Sequence, residues 1–122
     1  MLLKRNIALN ANSKNRYGNY PLIRACYKNY PEIVNLLIGY ANQKKNIYKL
    51  TVNERCKWED YPILLACYKN NSEIVKLLTE YANQKNMTLT LNDKNENGDY
   101  PLYEACYHDN SRYCKIINGI CQ

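Results

Sequence analysis

Apolar residues in this chain fall into two alternating rhythms. In Pro21-Leu22-Ile23-Arg24-Ala25-Cys26-Tyr27, residues Leu22, Ala25 and Cys26 stand at i, i+3 and i+4, one face of a helix. Pro21 suits the first position of that helix, where its missing N–H breaks no internal bond. The helix should end near Asn29, a residue type that tolerates the left-handed backbone. A longer helix is predicted almost at once: from Glu32 onward, apolar residues at 33, 34, 36, 37 and 40 make a broad stripe expected to be buried. Glu32 sits in its first turn, where the helix dipole favours an acid. No glycine follows Tyr40-Ala41-Asn42-Gln43, so the helix is expected to run on through Lys44. The rhythm then changes to a period of two. Ile7 and Leu9, and again Met87, Leu89 and Leu91, alternate with polar residues, as in a short strand or extended finger.

The whole pattern is written three times. Tyr20-Pro21 with Ala25-Cys26-Tyr27 returns as Tyr61-Pro62 with Ala66-Cys67-Tyr68, and as Tyr100-Pro101 with Ala105-Cys106-Tyr107. The spacing from proline to proline is 41 and then 39 residues. A period in this range marks a solenoid, whose units bury their apolar faces only against neighbours. The second long helix repeats as Glu73-Ile74-Val75-Lys76-Leu77-Leu78 and is expected to run on through Lys85. The third, Arg112-Tyr113-Cys114-Lys115-Ile116-Ile117, keeps the pattern without the acid. Asn70 and Asp109 are the expected stops of the second and third short helices. Ahead of each short helix lies a turn. Asn15-Arg16-Tyr17-Gly18-Asn19 and Asn95-Glu96-Asn97-Gly98-Asp99 carry a glycine free to take positive φ. In Cys56-Lys57-Trp58-Glu59-Asp60 the glycine is replaced by Glu59, so a different tip is expected there. These signals divide a single domain, residues 1–122, into a partial repeat end (1–14) and three repeats (15–55, 56–94 and 95–122). Leu2-Leu3-Lys4-Arg5 reads as the end of a preceding helix, as if the chain began inside a repeat.

Turn, Pro-started helix, tight turn, longer amphipathic helix and finger together resemble the ankyrin repeat. The family pattern runs Asp-x-x-Gly-x-Thr-Pro-Leu-His, then Ala-Ala, then Glu-(Ile/Val)-Val-x-Leu-Leu. The first copy matches it through Asn15, Gly18, Pro21, Leu22, Ala25, Cys26, Glu32, Ile33, Val34, Leu36 and Leu37. The second matches through Pro62, Ile63, Ala66, Cys67, Glu73, Ile74, Val75, Leu77 and Leu78. The third matches through Asn95, Gly98, Pro101, Leu102, Ala105, Cys106, Ile116 and Ile117, so the resemblance spans residues 6–122. The resemblance implies an all-α solenoid of stacked helix-turn-helix units with short β-hairpin or extended fingers. Two departures stand out. The family's Thr is Tyr20, Tyr61 and Tyr100, and its His is Ile23, Leu64 and Tyr103. Apolar or aromatic packing is expected to replace the Thr–His hydrogen bonds. The family period is about 33, and the surplus is expected at the end of the long helix and in a longer finger.

Composition sharpens the picture modestly. Of 122 residues, thirteen are Tyr, one is Trp and none is Phe. The net charge of +6 is concentrated in residues 1–60, which hold 11 Lys/Arg against 4 Asp/Glu; residues 61–122 hold 6 against 7. A basic half favours an acidic partner, a nucleic acid or an anionic surface, or is simply a solvated lysine-rich face. The chain shows no signal peptide and no run able to span a membrane, which points to an intracellular protein. Cys26, Cys67 and Cys106 hold one place in successive repeats. Packed helices sit about 8–10 Å apart, beyond the reach of a disulfide, so buried free thiols in a reducing compartment are expected. Asn70-Asn71-Ser72 and Asn86-Met87-Thr88 match the glycosylation pattern without a secretion signal to give it meaning.

No catalytic constellation is present, and no enzymatic activity is expected. The single histidine, His108, has no Ser/His/Asp or Cys/His motif around it. Cys106, His108, Cys114 and Cys121 lack the Cys-x2–4-Cys spacing of a zinc site, and the glycines are isolated; neither metal nor cofactor is expected. The resemblance implies a protein-binding module whose partner docks on finger tips and the exposed side of the short helices. On this chain that selects Arg16, Tyr17, Lys57 and Trp58 at the tips, and Lys28, Lys69 and His108 on the helices. Tyr27, Tyr68 and Tyr107, identical in all copies, are expected to form a structural ladder stacked repeat on repeat. The same basic and aromatic residues also fit single-stranded nucleic acid, although Glu59, Asp60, Glu96 and Asp99 punctuate the fingers. Apolar ends, with Leu2 and Leu3 at one and Tyr113, Ile116, Ile120 and Cys121 at the other, suggest self-association or a slice of a longer array.

Overall fold

The computed structural model describes residues 11–43, 49–112 and 115. Five helices follow in order: α1 (Pro21–Tyr27), α2 (Pro31–Gln43), α3 (Pro62–Tyr68), α4 (Ser72–Gln84) and α5 (Pro101–Tyr107). The short helices form one layer, α1 on α3 and α3 on α5, and the long helices a second, α2 on α4; α1 packs on α2 and α3 on α4. The described residues contain no strand. The fold is thus the all-α solenoid expected, with extended fingers in place of β-hairpins.

Each short helix begins with proline at its first position, preceded by an extended tyrosine that makes no side-chain cap. Each ends on a left-handed residue: Asn29 (φ 64°), Asn70 (φ 56°) and Asp109 (φ 52°). The following amide then bonds back to the helix, Tyr30 N–H to Ala25 O at 2.9 Å and Asn71 N–H to Ala66 O at 3.0 Å, a Schellman closure made without glycine. α4 stops the same way. Asn86 (φ 55°) follows the cap residue Lys85, and Met87 N–H reaches Ala82 O at 2.8 Å. Asparagine therefore supplies the stop that no glycine provides, and the helix ends at Gln84, with Lys85 as its cap and not inside it as expected. The Lys44 counterpart lies outside the described residues.

The core holds Leu22, Ile23, Ile63, Leu64, Val34, Ile74, Val75 and Leu78, with Leu50, Val52, Leu89 and Leu91 supplied by alternate finger positions. The predicted stripe of α2 is narrower than expected. Val34, Ile38, Tyr40 and Ala41 are buried, but Ile33 and Leu36 are 43% and 61% exposed. Ile74, which occupies the place of Ile33 in the middle of the stack, is fully buried. The same sequence position is core or surface according to whether a neighbour covers it. Leu102 and Cys106 on α5 show the effect too, since their counterparts Ile63 and Cys67 are inaccessible.

Successive repeats are joined by polar side chains. The Tyr20 hydroxyl donates to Glu54 O at 2.8 Å, and the Tyr61 hydroxyl to Asp93 O at 2.6 Å, each reaching the extended segment that leads into the next finger tip. Both rings are buried, and burial pushes both phenols well above their ordinary range. The expectation that packing alone replaces the Thr–His bonds is corrected: the tyrosine fills the core and still donates a hydrogen bond. Asn12 and Asn53 form a second tier. Each donates its side-chain N–H to a carbonyl of the next finger (Lys49 O, Thr88 O) and accepts from an amide two residues on (Thr51, Thr90), at 2.7–3.1 Å. A third tier links Asn71 to Asn29 at 2.6 Å and Asn110 to Asn70 at 2.8 Å. Asn71 also caps α4, accepting from Ile74 N–H.

Replacing Tyr61 with Phe keeps the packing and deletes the donor, leaving Asp93 O short of a partner. The expected cost is about 1–3 kcal/mol, read as a lower urea midpoint with an unchanged slope. An unchanged midpoint contradicts a stabilising role for this bond.

Candidate functional site

The finger tips are built alike. Asn15 N–H bonds Asn19 O at 2.8 Å, Cys56 N–H bonds Asp60 O at 3.0 Å, and Asn95 N–H bonds Asp99 O at 2.8 Å. Gly18 (φ 78°) and Gly98 (φ 88°) take the left-handed conformation, and so does Glu59 (φ 64°). The expected different tip at Glu59 is therefore corrected. Arg55 holds the Glu59 carboxylate at 3.0 Å and anchors itself on Asp93 at 2.8 Å, fastening the strained residue. Gly18 is required for a second reason: a Cβ there would lie 3.1 Å from the Cys56 backbone, where the next tip packs.

Adjacent tips are bonded through their backbones. Lys57 N–H donates to Tyr17 O at 2.7 Å, and Glu96 N–H to Trp58 O at 3.1 Å. The two aromatic tip residues thus sit on fixed backbone, and their rings stack at 5.9 Å with 27° between planes. Arg16 lies 4.9 Å and Lys57 5.9 Å from the Tyr17 ring centroid. Arg16, Tyr17, Lys57 and Trp58, nominated separately by the sequence, form one cluster. Trp58 remains 46% exposed despite the stack.

Beneath the stacked pair runs a groove of about 460 Å³ between fingers and short helices, walled by Tyr17, Trp58 and Tyr27, floored by Ile23 and Leu65, and rimmed by Arg24, Asp60 and Glu96. Lys28 and Lys69 lie beyond its far wall and act on tyrosines. Lys69 Nζ is 4.9 Å from the Tyr27 ring and 5.7 Å from Tyr68, and Lys28 Nζ is 5.9 Å from Tyr27. The predicted ring-on-ring ladder of Tyr27, Tyr68 and Tyr107 is absent. These rings are 48%, 52% and 72% exposed, and a lysine, not a second ring, joins the first two. His108 stands apart from the tip cluster: its Nε2 lies 3.1 Å from Tyr68 O, and its ring meets Tyr107 edge-on at 5.3 Å.

The sequence reading missed Ile23, Arg24, Leu65 and Glu104 as part of this face. Positions 24, 65 and 104 are equivalent in the three copies yet carry Arg, Leu and Glu; that divergence was the available signal. Glu104 is 4% exposed. Burial and the neighbouring Asp99 charge raise its pKa above the ordinary value, opposed by His108 at 3.8 Å and helped by a hydrogen bond with Asp99. Cys26 is buried, which pushes its thiol up and leaves it inert as a nucleophile. Among the described residues no cluster of three His, Cys, Asp or Glu is arranged to hold a metal, and no helix is long and apolar enough to cross a membrane. The apolar end residues Leu2, Leu3, Tyr113, Ile116, Ile120 and Cys121, and the zinc candidate Cys114, lie outside the described residues.

Comparison with known proteins agrees with the fold. A family model for ankyrin repeats (many copies) matches residues 2–52, and one for ankyrin repeats (3 copies) matches residues 44–120. No curated protein sequence matches the chain. Among solved structures it is similar to an ankyrin repeat domain from Acinetobacter baumannii AYE, with a TM-score of 0.71 and 23% identity. The match covers 93% of this chain and 53% of that one, so the chain spans about half the length of that domain. At this identity the likeness bears on the fold alone.

Glu104 yields a pH prediction with a definite sign. An acid whose pKa is raised on folding contributes most to stability below its unfolded value, near 4.5. That contribution is lost as pH rises through the higher folded value, because the unfolded state then holds fewer protons. Glu104→Gln is neutral throughout and should raise the urea midpoint at pH 7 while flattening its decline above pH 4.5. A midpoint that falls at pH 7 contradicts this.

Proposed function

The chain belongs to the ankyrin repeat family, and we propose that it is a non-enzymatic module that binds another protein in the groove between finger tips and short helices. Ankyrin repeats are in general protein-interaction modules, and the geometry adds a location. The observation that carries it is the Tyr17–Trp58 stack, Trp58 exposed and Tyr17 half-buried, above a groove of about 460 Å³ with an apolar floor. Aromatic residues on rigid backbone bring large contact area at low entropic cost, and Trp, Tyr and Arg dominate binding energy at interfaces. Arg16, Lys57, Lys28 and Lys69 flank the aromatics and suit an acidic stretch of the partner near the first two fingers. His108 belongs to the same face, one unit further on.

The carboxylates Asp60 and Glu96 on the groove rim disfavour nucleic acid as occupant, since a polyanion would meet them directly. Among the described residues the buried thiols of Cys26 and Cys56 fit a reducing, intracellular compartment.

A peptide-display library panned against the chain supplies probes for this surface. For a selected peptide, Tyr17→Ala and Trp58→Ala should each lower affinity about tenfold or more, the loss typical of an interface anchor. Leu36→Ser, on α2 and outside the groove, should leave it unchanged. Peptides indifferent to both aromatic substitutions would move the site elsewhere.

A further inference from the structure

The chain itself shows what fits between two of its exposed tyrosines. At the joint of the first two helix pairs, Lys69 places its ammonium 4.9 Å from the Tyr27 ring and 5.7 Å from Tyr68. One joint further on, the position of Lys28 and Lys69 is taken by His108, whose Nε2 instead lies 3.1 Å from Tyr68 O. No lysine or arginine of the described residues lies over Tyr103 or Tyr107. Those two rings stand 6.4 Å apart, tilted by 34°. With Tyr68, Asp99, Glu104 and His108 they line an open surface pocket of about 400 Å³.

Two carboxyl groups meet in that pocket, and no lysine or arginine among the described residues forms an ion pair with either. Glu104 is 4% exposed, its hydrogen-bond partner is another acid, Asp99, and His108 Nε2 is 3.8 Å away. Burying a carboxyl against a like-charged neighbour lowers stability, and the second copy shows that the fold does not demand it: Leu65 fills the equivalent place. A locally unfavourable residue of this kind is expected where a ligand compensates it. Tyrosine faces together with carboxylates are the environment that attracts a desolvated cation.

We propose that this pocket receives a basic side chain, a lysine or arginine, of the protein segment bound in the groove. The proposal rests on the reading of this face as the partner-binding surface and adds a polarity to it. Arg24, Lys28 and Lys57 flank the first units and Asp99 and Glu104 the last, so the bound segment is acidic at one end and basic at the other.

The test is a residue-resolved NMR titration of the full chain with three short peptides. These are acetyl-Gly-Lys-Gly-amide, its arginine analogue, and a norleucine control that keeps the apolar stem without the charge. Saturable shifts at Tyr68, Tyr103, Tyr107 and His108 are expected with a basic peptide, with norleucine binding about tenfold weaker or less. The double variant Asp99→Asn/Glu104→Gln should abolish the preference while remaining folded, and Tyr103→Leu should weaken it independently. The inference is overturned if norleucine matches lysine and arginine, if neither basic peptide gives saturable shifts, or if the double variant binds as before. Should display-selected peptides still depend on Trp58 in that event, the groove stands and only the cation pocket falls.

Discussion

The hydrogen bonds from the Tyr20 and Tyr61 hydroxyls to the extended segments that lead into the next finger tips are the contacts on which the stack depends. Extended segments without a strand ladder leave backbone carbonyls and amides that must find partners elsewhere. Here the partners are side chains. Tyr20 and Tyr61 donate upward, Asn12 and Asn53 clip the next finger at both a carbonyl and an amide, and the Tyr81 hydroxyl accepts from Leu50 N–H at 2.9 Å. In a solenoid each unit is stabilised only by its neighbours, so these tiers add directional bonds to an interface that apolar burial alone would leave free to slide.

Fixing the fingers from below leaves their tips available. The backbone bonds between adjacent tips hold Tyr17 and Trp58 by their carbonyls and ask nothing of their side chains. The rings can therefore stack on one another and still face solvent. Further along the same face the character changes from aromatic and basic to aromatic and acidic, following the net charges of the two halves of the sequence. A surface graded in this way reads orientation as well as identity in whatever lies along it.

The helical architecture was legible in the sequence because it was written three times. Proline starts, asparagine or aspartate stops and alternating finger positions all recur at fixed offsets, and each has a local physical cause. What stayed hidden depends on neighbours. Ile33 and Ile74 are the same residue at the same repeat position, yet one is exposed and the other buried. Glu59 breaks the glycine pattern but adopts the glycine conformation, because Arg55 from its own finger braces it. Of the face, the tip residues were nominated by the ankyrin resemblance, which puts partner contacts at the finger tips. The identical tyrosines 27, 68 and 107 do not form the expected stacked ladder, because Lys69 stands between the first two and His108 between the last two. Glu104 was overlooked because nothing in a linear pattern reveals that a carboxyl will be buried beside Asp99.

Native-state hydrogen exchange addresses the central claim directly, since the amides of Leu50, Thr51, Lys57, Thr90 and Glu96 lie outside every helix and are bonded only across the repeat joints. If inter-repeat side-chain and tip bonds join the units into one cooperative body, these amides should exchange with opening free energies close to those of helix-core amides such as Leu64 and Leu78. Exchange at the rate of free loop amides, with protection confined to the helices, would contradict the account.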